Sequence, residues 1–234
     1  MLKEVSVNEA VDMALKNKHD IGLVCVMNHN YGNNLTNYAL YQYLCDLGKR
    51  VMMIDLPKNV KFVLPKDRSD RMELFFEMPY PVYDLPEQVE YKQDLIQFNS
   101  MCDVFMVGSD QIWRSMFVEG TDFYTCLDWV EPRKYKMSYG TSFGVGTFEK
   151  EGGTRKKFEM YLKRFQNVSV REESGCSLLK NEFDIESVCV LDPVMMCECS
   201  HYEEMAEKGM KRIPKGTYIG SYMLDPNIEK ESAI

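Results

Sequence analysis

No apolar run in this chain approaches the ~20 residues that a membrane-crossing helix requires, so no transmembrane segment is expected. The first stretch, Met1 to Asp20, is amphipathic and charged and lacks the apolar core of a secretory leader. The sequence therefore reads as cytoplasmic, with its thiols reduced. Positive charge is scarce: 28 Lys and Arg stand against 36 Asp and Glu, a net charge of −8. No basic cluster is interleaved with aromatics, so nucleic acid is not expected as a partner. The three-glycine fingerprint of dinucleotide-binding turns is missing as well, which disfavours NAD. No internal repeat or low-complexity tract is present.

The 8 cysteines do not form a metal-binding pattern. Most lie in apolar runs, as in Val24-Cys25-Val26 and Val188-Cys189-Val190, and read as buried free thiols that pack like small hydrophobes. Only Cys197 and Cys199 are close together. They lack the two-residue gap and the second ligand pair of a structural zinc site, although His201 follows them, and no metal is expected. The 3 histidines make no catalytic set either. His19 precedes a strand, His201 sits in a polar linker, and His29 alone falls on the side where a ligand would bind.

What the chain does contain is a repeated alternation of short apolar segments and segments of helical spacing. Helices are expected at Val7 to Asn17, Leu35 to Leu47, Leu85 to Met101, Glu149 to Phe165 and Glu172 to Leu179, with shorter ones near Ser69 to Phe76 and Tyr202 to Glu207. Strands are expected at Ile21 to Met27, Arg50 to Leu56, Asp103 to Val107, Lys134 to Ser138, Asn167 to Val170 and Ser187 to Leu191. This pattern specifies an α/β fold, a doubly wound, Rossmann-like parallel sheet. The proline-rich stretch Pro57 to Pro86 reads as an insertion, a candidate lid or acceptor-side loop. Residues 1–200 are expected to form this domain and 201–216 a linker. Residues 217–234 would begin a second α/β domain, because Thr217 to Leu224 reads as a strand whose covering helix is missing. The expectation is thus of a chain cut short there.

In open parallel sheets ligands bind beyond the carboxyl ends of the strands. Three loops at such ends carry chemistry. Asn28 to Asn34 leads into a helix whose free N–H groups suit an anion, unless Asn33 or Asn34 merely caps it. Ser109, Asp110, Gln111 and Trp113 follow the strand ending at Val107, where the plain alternative is a capped turn with a core Trp. Arg171 ends a strand and Glu172 opens a helix. From there Arg171 could hold a carboxylate or phosphate, or simply pair with Glu172, Glu173 or Asp192.

Asn30-Tyr31-Gly32-Asn33-Asn34-Leu35, Val107-Gly108-Ser109-Asp110-Gln111-Ile112-Trp113, Tyr139-Gly140-Thr141-Ser142-Phe143-Gly144, Val170-Arg171-Glu172-Glu173-Ser174-Gly175 and Val190-Leu191-Asp192-Pro193-Val194-Met195 follow one another. In this order and spacing the series resembles the polysaccharide pyruvyl transferase family. The resemblance implies the N-terminal half of a GT-B-like, two-domain architecture and transfer of a pyruvyl group from phosphoenolpyruvate to two hydroxyls of a sugar. The acceptor would be a cell-surface glycan or its lipid-linked precursor, with peripheral membrane association through it and no cofactor beyond the donor. Matched positions then assign Asp110 as acid/base or hydroxyl anchor and Arg171 as anion clamp. Asn33, Asn34, Ser109, Gln111, Trp113, Ser142 and Glu172 would contact substrate, with Trp113 either facing the sugar or structural. Two other readings are compatible with the fold: a glycosyltransferase-like enzyme using a nucleotide sugar, and a non-catalytic glycan-binding domain.

Overall fold

A computed structural model describes residues 18–27, 31–60, 84–209 and 216–218. The expected helices at Val7 to Asn17 and Ser69 to Phe76, and all of the expected strand Thr217 to Leu224 except its first two residues, lie outside the described residues.

The first strand, β1 (His19–Val24), is buried on both faces over Ile21 to Val24, as a continuous apolar run in a parallel sheet should be. Helix α1 (Tyr31–Asp46) follows. Gly48 ends it in the left-handed region, at φ 75°, with its N–H donating to Cys45 O at 2.8 Å. Strand β2 (Val51–Ile54) is fully buried. Then come a 3-10 helix (Lys92–Ser100), β3 (Cys102–Asp110), α2 (Ser115–Gly120), a short 3-10 turn (Tyr124–Cys126) and β4 (Tyr135–Thr141). The chain continues through α3 (Gly152–Leu162), β5 (Ser169–Val170), α4 (Glu173–Phe183), β6 (Val188–Cys189), a 3-10 turn (Pro193–Met195) and α5 (Cys199–Gly209).

All six strands are parallel, in the order β2-β1-β3-β4-β5-β6. From β1 the chain steps outward to β2, then returns to β3 and proceeds the other way. The reversal puts α1 on one face, where Leu40, Tyr41 and Leu44 pack on Ile21, Leu23, Met53 and Met106. The other face carries an aromatic-rich core that includes Phe158 and Leu162 of α3 and Leu178, Leu179 and Phe183 of α4. This is the doubly wound, Rossmann-like α/β arrangement, with its switch point between β1 and β3.

Three local differences from the sequence reading have physical causes. Helix α1 begins at Tyr31, so Asn33 and Asn34 lie inside its first turn instead of capping it. The segment expected to be helical from Leu85 starts extended. Met53 N donates to Asp84 O at 2.9 Å, Lys58 N to Val89 O at 3.0 Å and Asn59 N to Glu90 O at 3.1 Å. Met53 of β2 and the turn beyond it, at Lys58 and Asn59, thus take up this segment, and these bonds override its helical propensity. At the opposite end of the sheet, β6 is a two-residue edge strand. Val188 is 61% exposed and Cys189 is exposed too, so the apolar run around Cys189 does not bury its thiol.

Candidate functional site at the carboxyl edge of the sheet

The strand register builds the site. Asp110 pairs with Thr141, Thr141 with Val170, and Val170 with Cys189. Gln111, Ser142 and Arg171, each one residue further along, therefore stand in a row above the edge. Ser142 N donates to Asp110 O at 2.8 Å and Trp113 N to Ser142 O at 3.2 Å, which knits the ends of β3 and β4 together.

Asp110 sits at φ 99°, a region that L residues rarely adopt and that costs on the order of 1–3 kcal/mol. Two residues earlier, a Cβ on Gly108 would fall 2.5 Å from Leu40 Cδ2 and 3.0 Å from the Tyr139 carbonyl oxygen. Glycine there lets α1 lie close against β3. That approach brings Asn33, buried at 3% exposure, to Asp110, with its amide nitrogen donating to Oδ2 at 3.1 Å. Asn37 in turn donates to Asn33 Oδ1 at 3.2 Å.

Arg171 enters from β5. Its Nη1 donates to Asp192 Oδ2 at 2.8 Å and its Nε to Glu172 Oε1 at 3.4 Å, while Nη2 lies 3.9 Å from Asp110 Oδ1. Burial opposes the cation, but the Asp192 hydrogen bond and the charges of Asp192, Glu172 and Asp110 outweigh it and raise the guanidinium's pKa. Glu172 also accepts from the Ser142 hydroxyl at 2.7 Å, and that hydroxyl accepts from Gly144 N at 3.0 Å. Three carboxylates thus surround one guanidinium and offer acceptors to hydroxyl donors.

The expected site residues divide. Asp110, Arg171, Asn33, Ser142 and Glu172 converge in one network. Gln111 is exposed and lies over Gly144, where a Cβ would meet its side chain at 2.6 Å. Asn34 is buried on the first turn of α1. Two expected contacts belong to the interior. Ser109 is fully buried and its hydroxyl donates to Gly140 O at 3.0 Å. Trp113 is also fully buried, donates its indole N–H to Thr125 O at 3.1 Å and packs edge-on to Phe158 and Phe165. Of its two readings, the structural one describes this position. Arg171 is paired with Asp192 and Glu172 through Nη1 and Nε, while its Nη2 has Asp110 Oδ1 at 3.9 Å. His29 lies outside the described residues.

Asn37 and Asp55 were not among the expected site residues. Asn37 is detectable as the third asparagine of an N-N-x-x-N stretch, one helical turn beyond Asn33. Asp55 stands at the end of β2 on the same edge. Its Oδ1 accepts from Met27 N at 2.9 Å and Leu56 N at 2.7 Å, and burial pushes its pKa up to about 6. Among the described residues, no group of three or more His, Cys, Asp or Glu is placed to hold a metal ion.

A family model for polysaccharide pyruvyl transferase matches residues 30–232, most of the chain. The chain belongs to the polysaccharide pyruvyl transferase family. No curated protein and no solved structure matches it. Membership marks a transferase and implies a glycan acceptor. Within the matched range lie all of the network residues, from Asn33 on α1 to Asp192 after β6. No helix among the described residues is long and apolar enough to cross a membrane.

Proposed function

We propose that this pyruvyl transferase family member moves the pyruvyl group of phosphoenolpyruvate onto two hydroxyls of one sugar, in a cell-surface glycan or its lipid-linked precursor, in the cytoplasm. Two C–O bonds form at C2 of the donor, and the bond from C2 to the phosphate oxygen breaks. One hydroxyl proton ends on the enol methylene, which becomes the methyl group, and the other leaves with inorganic phosphate.

The observation that carries this reading is Asp110. It is a partly exposed carboxylate in a strained backbone conformation, at the switch point where such sheets bind ligands, held by Asn33 and standing beside Arg171. In the proposed role it accepts the proton of a sugar hydroxyl as that oxygen attacks C2. The loosely held Nη2 of Arg171 faces the donor carboxylate, and Glu172 and Gln111 orient the sugar. A GT-B-like architecture belongs to the same proposal, with residues 1–200 as the first domain, 201–216 as linker and 217–234 opening the second.

The test is phosphate release from phosphoenolpyruvate with a panel of acceptor glycans, in the wild type and Asp110→Asn. Acceptor-dependent release that falls at least 100-fold in the variant supports the proposal. Nucleotide-sugar binding without phosphate release would favour a glycosyltransferase-like enzyme. Glycan binding with no turnover of either donor would favour a non-catalytic module.

A further inference from the structure

We propose that Gly144 is a positioning residue for the acceptor: it seats the Gln111 side chain so that its amide reads a third sugar hydroxyl, beside the two that react; this rests on reading the site as one for a sugar acceptor. Gln111 is exposed and follows Asp110 directly, just past the end of β3. Its side chain lies across the face of Gly144 where any other residue carries a Cβ. An atom built there would fall 2.6 Å from Gln111 Cδ and Oε1 and 3.1 Å from Cγ. Gly144 also holds φ at 67°, a conformation that suits glycine. Both the space and the backbone thus call for glycine at this position.

Both sides of the contact are fixed by the framework. Gln111 O accepts from Arg114 N at 3.1 Å, and Ser142 N donates to Asp110 O at 2.8 Å. Gly144 N donates to the Ser142 hydroxyl at 3.0 Å, which donates in turn to Glu172 Oε1 at 2.7 Å. The seat is therefore tied to the ends of β3 and β4 and to Glu172 after β5. Among the described residues none engages the Gln111 amide in a hydrogen bond, so its NH2 and its carbonyl oxygen are both open to a ligand. An uncharged amide that donates and accepts matches a hydroxyl, which does the same. It takes up no proton, so it suits a hydroxyl that is held and does not react. A glutamine loses rotamer freedom when it engages a ligand, and seating it beforehand removes part of that loss.

The experiment compares Gly144→Ala, Gln111→Ala and the double variant. Gly152→Ala is the control for backbone strain, since Gly152 also has φ 67° but nothing lies within 4 Å of the added methyl group. Gly144→Ala should raise the acceptor KM roughly 2- to 10-fold, the range expected for one side chain that must be ordered anew on binding, with kcat and the phosphoenolpyruvate KM unchanged. In the Gln111→Ala background the same substitution should add nothing to the acceptor KM. Gly152→Ala, with the same strain, should leave that KM alone. Among monodeoxy acceptors, the one that lacks the hydroxyl read by Gln111 should serve wild type and Gly144→Ala alike. An unchanged acceptor KM in folded Gly144→Ala, or an equal rise in the Gln111→Ala background, overturns the inference.

Glycan binding separates this inference from the reaction. Methyl glycosides of neutral hexoses, titrated in without donor, should bind Gly144→Ala more weakly than wild type by the same factor. That result with no phosphoenolpyruvate turnover leaves the seat standing and the proposed reaction fallen. Turnover in which Gly144→Ala behaves as wild type does the reverse. In the ligand-free protein, 15N relaxation of the Gln111 side-chain NH2 should report an ordered group in wild type and a mobile one in Gly144→Ala. An amide equally mobile in both overturns the proposal.

Discussion

Arg171 and Asp192 form an ion pair of 2.8 Å that joins the end of β5 to the turn after β6. Asp192 also caps that turn, its Oδ1 accepting from Val194 N at 3.0 Å. One residue thus links the guanidinium to the start of the segment that leads back to α1, where Tyr38 donates to His201 O at 3.1 Å and Asp46 meets His201 Nε2 at 2.8 Å. Arg171→Ala would leave three carboxylates facing one another. The expected loss is on the order of 1–3 kcal/mol of stability, since unpaired, partly buried charge is what remains, and part of it should return with added salt. Chemical denaturation at two ionic strengths reads both effects. Arg171→Lys keeps the charge but not the planar fork, so it should recover stability more than turnover.

Asp110→Gly separates strain from chemistry. Glycine adopts φ 99° without the penalty an aspartate meets, so the variant should unfold at a higher temperature, by the equivalent of about 1 kcal/mol, while acceptor-dependent phosphate release is abolished. A lower melting temperature would mean that the Asn33 hydrogen bond and the nearby Arg171 outweigh the strain.

Gly108→Ala tests how α1 is seated. The added methyl group would stand 2.5 Å from Leu40 Cδ2, and overpacking of this kind usually costs about 1–3 kcal/mol. Moving α1 away from β3 also draws Asn33 from Asp110, so turnover should fall along with stability. Leu40→Ala in the same chain opens space beneath the new methyl group. The double variant should recover more activity than the sum of the single effects allows, measured as a double-mutant cycle.

The doubly wound sheet was legible because each strand is a short apolar run followed by a turn and then a helical period, and that signal is local. Asp110 and Arg171 were legible as polar residues placed directly after such runs. The outward or inward direction of their neighbours was not. Ser109 on β3 and Trp113 just after it flank Asp110, yet their side chains turn into the interior because β3 and β4 continue pairing to the level of Asp110 and Thr141, a long-range fact. Lys136 makes the same point. Lysine is almost never fully buried, yet this one is, with Nζ donating to Glu131 O at 2.6 Å and Lys134 O at 2.9 Å. The Lys92–Ser100 helix starts later than the spacing from Leu85 suggests because Met53 of β2 and Lys58 and Asn59 beyond it hydrogen-bond the carbonyls of residues 84, 89 and 90, which no periodicity reveals.

Trp113→Phe separates core from substrate contact. The indole N–H has its partner in Thr125 O at 3.1 Å, and its loss strands that buried carbonyl at a cost of roughly 1–3 kcal/mol. The melting temperature should fall, while the KM for an acceptor glycan stays the same. A raised KM with unchanged stability would return Trp113 to the sugar-binding surface.

Asp55 gives the fold a pH dependence of definite sign. Its carboxyl is raised from 3.8 to about 6 by burial, against the two backbone N–H bonds that lower it. A carboxyl whose pKa is higher in the folded chain binds its proton more tightly there. Its contribution is therefore fully present below the unfolded value and is lost as pH rises through about 6. A shift of this size corresponds to on the order of 3 kcal/mol. Asp55→Asn keeps an oxygen to accept from Met27 N and Leu56 N and removes the titration. The variant should match the wild type near pH 4 and be the more stable of the two above pH 7, by an amount that grows between those limits. Urea denaturation at several pH values measures it. A variant less stable at neutral pH would show that the ionised carboxylate has favourable partners that outweigh its burial.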